Sequence, residues 1–539
     1  MHGVTMTSRF FRTGLTYLAP LLVGLVASTA ACSADSGGED SASGEDDLTS
    51  ITARSRTLSF IGTVYLDPGA SDDAIMSAVR SQSQTAFGPL RTSNVAVNSR
   101  ELKGVDPHTF VKRTVKVVDP ASPSSAKDML EVKYTYNDNA VVDAKYASRT
   151  AIPLALMKPD YASQSQRILT ECTPNDEEAQ EFVSSIWYVF DPGVASCKTA
   201  MKAEQDKVNA DRARLTDPVK QVTKAEVDRL YIPITASLGA DKTNKGASYP
   251  EYARLYKGGI KPNTVIVSLV YGLIDHDHSA GYSNDFNWGE LMTNLSEVIN
   301  ASDGWKVVPG GPDNVDLSHF TLASGKKIDN ASIKDLTNLH GGTDSLGLEE
   351  DDKADLDKQF ADRIFRKWIT IERDVTVQIG SEPAHAAAIQ MIAYFGSESD
   401  QEPHKYAIKN SDVFLYNGHS YIGFGPLDPS RFTAADFPSS YQMFWIDGCV
   451  SYNYYEKDYI PLKQGGTKNL DLITNAIEAP SWRSGYAMGR FTATLLNGKS
   501  ASYKDLLAAA KDTDPLRVVD GELDNTFKPS STPITVTTR

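Results

Sequence analysis

Residues 263–274 read NTVIVSLVYGLI, twelve in a row without a charge. The run is too short to cross a bilayer as a helix, which takes about 20 residues. It is rich in β-branched residues, and so predicts a strand covered on both faces, as in sheets with layers packed on each side. The sequence that follows supplies such layers. Phe286, Trp288, Leu291, Leu295, Val298 and Ile299 fall at helical spacing, as do Leu356, Phe360, Ile364, Phe365 and Trp368. PAHAAAIQMIAYF is expected as a third helix, with Pro383 suited to its first turn. DVFLYNGHS, YQMFWIDGC and LDLIT read as further strands, and 485–496 and 503–510 as closing helices. Strands alternating with helices predict an α/β layered domain with a largely parallel sheet over residues 245–515. In such sheets function collects at the carboxyl ends of the strands.

Residues 55–235 predict a smaller α+β domain. RTLSFIGTVYLD, TFVKRTVKVVD, DMLEVKYTYND and EFVSSIWYVFD read as strands, and SDDAIMSAVRSQSQTAF as a helix capped by Ser71. KTAMKAEQDKVNADRARL is expected as a charged helix. No catalytic or metal-ligand spacing occurs here, so a regulatory, prodomain-like or partner-binding role is expected. Residues 516–539 read as a C-terminal tail. The whole chain has 539 residues, 41% hydrophobic, enough for two to four ordinary domains and too mixed for a polytopic membrane protein. Its 54 Lys and Arg against 69 Asp and Glu leave a net −15, which repels phosphate backbones and excludes nucleic acid as an expected partner.

The first 31 residues have the form of a secretory signal: Arg9 and Arg12, then LTYLAPLLVGLVASTAA, then a stop at Cys32. TAAC resembles a bacterial lipoprotein box, with Thr29 where Leu is usual. The resemblance implies lipidation of Cys32, a membrane partner through the lipid, and residence in the cell envelope, on the periplasmic face or at the outer membrane and cell surface. Residues 32–54 follow as a Ser/Gly tether carrying Asp35, Glu39, Asp40, Glu45, Asp46 and Asp47, a composition that stays solvated.

An exported chain permits disulfides. Cys172 and Cys197 lie in one region and are natural partners, and closing such a loop contributes roughly 3 kcal/mol. Cys449 is then left over, as an inert buried residue or a reactive one. His419 follows one expected strand and Cys449 the next, 30 residues on. If those strands are adjacent and parallel, thiol and imidazole meet at one sheet edge. That pairing suits acyl transfer: a thiolate nucleophile, an imidazole to protonate the leaving amine and backbone N–H groups for the oxyanion.

VFLYNGHS and MFWIDGCVS resemble the two strand-ending motifs of caspase-like cysteine peptidases, the group of caspases, legumains and gingipains. The resemblance covers roughly 245–515 and implies a Cys449–His419 dyad acting on a protein or peptide without a cofactor or metal. It also implies an oxyanion site at the N–H of Cys449 and at Ser420, which stands where the family has Gly. DGC replaces the usual QAC or EAC, placing Asp447 in the motif. SWR at Ser481, Trp482 and Arg483 is similar to a caspase triplet whose Arg receives an acidic substrate side chain, so Trp482, Arg483 and Asp447 are the substrate-contact candidates. The tyrosines Tyr452, Tyr454, Tyr455 and Tyr459 are expected to line a groove or to pack on the sheet.

Three other readings compete. A caspase-like surface lipoprotein with an inert Cys449 would bind a partner instead of cleaving it. GHSYIG fails as a serine-hydrolase elbow, because Ile422 occupies the final Gly position and no His follows His419. Asp275, His276, Asp277 and His278 form an H-x-H loop that a metal-dependent hydrolase could use, with His319, His340 or His385 as further ligands. Its longer signature is missing at Ala280 and Gly281. LEEDDKADLD lacks the Gly of a calcium loop and reads as a solvated helix start.

Overall fold

The computed structural model describes residues 47–539 except 100–101, 175–179, 181, 276–277, 309–312, 314, 342–344, 398 and 513–514. The signal segment, Cys32 and most of the tether lie outside these residues. The described residues form one compact unit of mixed α/β structure with two large sheets. No helix among them is long and apolar enough to cross a membrane.

The first sheet contains β1 (Ala53–Leu66), β2 (Val95–Val97), β3 (Val111–Asp119), β4 (Ser122–Asp143), β5 (Ala151–Met157), β6 (Gln221–Thr223) and β7 (Tyr231–Leu238). Its spine is the antiparallel pair β1–β4, and only β3–β6 is parallel. Ser71 caps the helix Asp72–Gln84 by accepting the Ala74 N–H, as its sequence predicts.

The second sheet follows the chain through β8 (Thr264–Gly272), β9 (Lys306–Val307), the separate hairpin β10 (His319–Thr321) and β11 (Lys327–Asp329), β12 (Trp368–Ile379), β13 (His385–Gly396), β14 (Val413–Asn417), β15 (Gln442–Asp447), β16 (Leu470–Asn475), β17 (Arg517–Asp520) and β18 (Ile534–Thr538). The order across it is β17-β16-β15-β14-β8-β13-β12-β18, with β9 beside β12. Five central strands, β16, β15, β14, β8 and β13, run parallel; β17 and β12 run antiparallel to them, and β18 and β9 pair antiparallel with β12. In chain order the parallel strands read 2-1-3-4-5 outward from β13, a doubly wound order whose switch point lies between β8 and β14.

All nine residues of β8 are buried, as a doubly covered strand requires. Val267, Leu415, Met443 and Trp445 pack with Leu291 and Leu295 of the helix Phe286–Asn300 and with Met488 and Phe491 of the helix Ser484–Leu495. The opposite face, with Phe414, Tyr416, Phe444 and Ile446, shares a core with Leu58, Phe60 and Val79 of the first sheet and its helix. The two sheets are therefore welded by common apolar burial.

Four elements depart from their sequence reading. PAHAAAIQMIAYF forms β13 instead of a helix. It pairs with β12 on one side and β8 on the other, and two ladders override the high helix propensity of alanine. Trp368 opens β12 rather than continuing its helix, which ends at Ile364. EFVSSIWYVFD forms short helical turns at Val183–Ser185 and Ile186–Val189 instead of a strand. Its Tyr188 ring stacks on Phe182 at 4.6 Å and on Phe87 of the helix Phe87–Thr92 at 5.2 Å. Residues 516–539 are no tail. They supply β17 and β18 at opposite edges of the second sheet, and Thr49 of the expected tether bridges to Val519.

Cys172 and Cys197 are disulfide-bonded, joining the helices Ser165–Cys172 and Ala195–Arg212. Both are fully buried. Replacing both by serine is expected to lower unfolding free energy by roughly 3 kcal/mol, read as a drop in the urea midpoint.

Candidate active site

β14 and β15 are adjacent and parallel, with Asn417 opposite Asp447 in the register. His419 and Cys449 each stand two residues beyond those partners, so they occupy equivalent places past neighbouring strand ends, where strands lie about 4.8 Å apart. The two loops touch. A Cβ built on Gly448 would lie 3.3 Å from Ser420 Cβ and 3.5 Å from the Gly418 carbonyl oxygen, so a side chain at 448 would crowd the His419 loop. A cavity of about 380 Å³ opens at this edge, lined by Ile274, Asn417, Gly418, His419, Asp447, Cys449, Glu478, Ala479, Pro480 and Trp482. These residues end or follow β8, β14, β15 and β16, so the cavity spans the switch point.

The backbone here is held in conformations that side chains resist. Tyr421, Ile422 and Val450 have φ of 48°, 54° and 53°. Among the described non-glycine residues with positive φ, Ile422 and Val450 are the β-branched ones, and both lie within three residues of His419 or Cys449. Such strain costs about 1–3 kcal/mol per residue and persists only where surroundings enforce it. Ser451 does part of that work, donating to the Ile446 carbonyl at 2.8 Å and accepting the Asn475 N–H at 2.8 Å. Tyr452, Tyr454, Tyr455 and Tyr459 are buried on the sheet rather than lining a groove. The Tyr455 hydroxyl donates to the Ser420 carbonyl and the Tyr459 hydroxyl to the Leu427 carbonyl, bracing the loop after His419.

Burial pushes the Cys449 thiol up to about 11, opposed by a hydrogen bond from the backbone at Ala479 and reinforced by the charges of Glu478 and Asp447. The resting sulfur is therefore a thiol at neutral pH. Asp447 forms the wall below it, its carboxylate fully buried against Arg517 Nη1 at 2.8 Å and Asn475 Nδ2 at 2.7 Å. Arg517 also pairs with Asp512 at 2.5 Å and lies over the Trp445 ring at 4.5 Å. Asp447 thus serves as structure within the wall. Glu478 Oε1 accepts from Arg91 Nη1 at 2.6 Å and from the Tyr188 hydroxyl at 3.2 Å, so segments of the first sheet's layer reach the rim.

Of the substrate-contact candidates, Trp482 lines the cavity with 62% of its surface exposed, whereas Arg483 is exposed but does not line it. Ser420 is buried, and its carbonyl accepts from Gly423 N–H at 2.9 Å. Among the described residues, every large exposed aromatic (Phe286, Tyr421, Phe424, Trp482 and Tyr486) belongs to the segments that follow β8, β14 and β16. Of the Asp275–His278 loop, His276 and Asp277 fall outside the described residues. His278 meets Asp285 at 3.1 Å, and Asp285 also accepts from the Ile274, Asp275 and Asn287 N–H groups, which ties the loop to its helix. No cluster of three or more His, Cys, Asp or Glu able to hold a metal occurs among the described residues.

Sequence reasoning missed Asn417, Glu478, Arg517, Arg91 and Tyr188. Asn417 had a signal as the last polar residue of an apolar strand before the His419 turn. The others come from distant segments and carried none. No family model matches this chain, and neither a curated protein nor a solved structure does.

Proposed function

We propose that this chain is an exported, lipid-anchored cysteine peptidase built on a caspase-like α/β domain. The observation that carries the reading is the cavity at the carboxyl edge of adjacent parallel strands, lined by both Cys449 and His419. In this reading His419 takes the thiol proton as Cys449 Sγ attacks the scissile carbonyl carbon. The same imidazolium then protonates the leaving amine, and water hydrolyses the thioester. Trp482 and the other exposed aromatics offer apolar contact to a peptide crossing the edge. No cofactor is needed for these steps, and the membrane partner is the lipid on Cys32.

One observation favours a second reading, a caspase-like surface lipoprotein that binds a partner and whose Cys449 is inert: the thiol is raised rather than lowered, as in buried structural cysteines. With the thiol at about 11, alkylation of the resting protein by iodoacetamide is expected to climb about tenfold per pH unit, roughly a thousandfold from pH 7 to 10. A fluorogenic peptide library assayed at pH 7 separates the readings. Turnover by the full chain that vanishes in Cys449→Ser supports the peptidase. Slow alkylation with no turnover of any peptide overturns it in favour of the binder.

A further inference from the structure

Asn417 ends β14 opposite Asp447, two residues before His419, and lines the cavity. It is only 3% exposed, yet its Nδ2 is buried with no hydrogen-bond partner. Among the residues lining the cavity, no other buried side-chain nitrogen or oxygen is left in this state. Leaving a buried amide donor unmade costs about 1–3 kcal/mol, and such a group calls for an acceptor that the protein does not supply. The main chain of Asn417 is fixed instead. Its carbonyl accepts Asn287 Nδ2 at 3.2 Å, and the same amide donates to the Gly272 carbonyl at 2.6 Å, clamping the ends of β14 and β8 together. A donor with an immobilised backbone, in the wall shared by the nucleophile and the imidazole, has the preorganisation that stabilises a developing oxyanion.

We infer that Asn417 is a catalytic residue of the proposed peptidase, donating from Nδ2 to the oxyanion. The inference rests on the peptidase reading. As the Sγ–C bond forms, the carbonyl π pair moves onto oxygen and the Nδ2–H bonds to it, while the thiol proton passes to His419. The pair returns as the C–N bond breaks, and the proton leaves on the amine. Ser420, whose place in the family resemblance made it an oxyanion contributor, need not supply the second donor.

The test compares two reactions of Cys449 in the full-length protein. A panel of peptide aldehydes forms a tetrahedral hemithioacetal bearing the oxyanion, whereas alkylation by iodoacetamide forms none. Asn417→Ala is expected to weaken aldehyde inhibition and lower kcat by about 10²–10³-fold with little change in KM. The alkylation rate across pH 7–10 serves as the reference and is expected to move less than threefold. Asn417→Ser, smaller but still a donor, guards against misfolding and is expected to recover part of the loss. Equal losses in both reactions, or undiminished aldehyde inhibition in Asn417→Ala, overturn the donor role and leave the peptidase standing. A wild-type chain whose Cys449 alkylates at pH 10 but binds no aldehyde and turns over no peptide overturns the peptidase itself, and the inference with it.

Discussion

Replacing His419 by alanine is expected to lower peptide hydrolysis by about 10²–10⁴-fold, the usual worth of a positioned acid–base group. The reasoning starts from the sulfur. A thiol held near 11 lies about four units above neutral pH, so forming the free thiolate before attack costs about 5 kcal/mol. An imidazole at the equivalent position on the next strand avoids that intermediate by taking the proton during attack. It then holds the proton for the leaving amine, whose departure unprotonated is far less favourable. The loss should appear mainly in kcat, with KM nearly constant, because His419 acts as charge develops rather than on the bound peptide. Alkylation at pH 10, where hydroxide supplies the base, should change little. A His419→Ala chain that keeps full turnover would remove the imidazole from the mechanism.

The second large effect concerns stability. Arg517→Met is expected to lower unfolding free energy by about 3–5 kcal/mol. The guanidinium, 3% exposed, neutralises Asp447 and Asp512, whose side chains are 0% and 2% exposed. Methionine fills similar volume over Trp445 but strands two carboxylates where water cannot reach them. Adding Asp447→Asn and Asp512→Asn to Arg517→Met should therefore recover much of the loss, since a buried ionic cluster replaced as a whole is often nearly neutral. Urea midpoints of the single and triple variants measure this. Loss of the single variant's peptide turnover should accompany the destabilisation, because Asp447 forms the cavity wall beneath Cys449.

These two effects mark what local pattern can and cannot reveal. Apolar strands such as 263–274 were legible because burial on both faces leaves a continuous run, and His419 and Cys449 were legible because each follows such a run. PAHAAAIQMIAYF misled because alanine is compatible with either state, and only two neighbouring ladders decide. EFVSSIWYVFD misled because aromatics suit strands and ring stacks alike. TPITVTT near the end had strand chemistry, but its place beside β12 depends on an edge built more than 150 residues earlier.

By itself the sequence determined the continuous apolar strands of the layered half, the pairing of Cys172 with Cys197 and the two residues worth watching, because periodicity and side-chain chemistry are local properties. Tertiary structure alone decided that β14 and β15 are neighbours, that Arg517 returns from a far segment to sit under Asp447, that Arg91 and Tyr188 reach Glu478, and that Asn417 is left with an unanswered donor. Those facts depend on which surfaces meet when apolar area is buried, and that is a property of the whole chain.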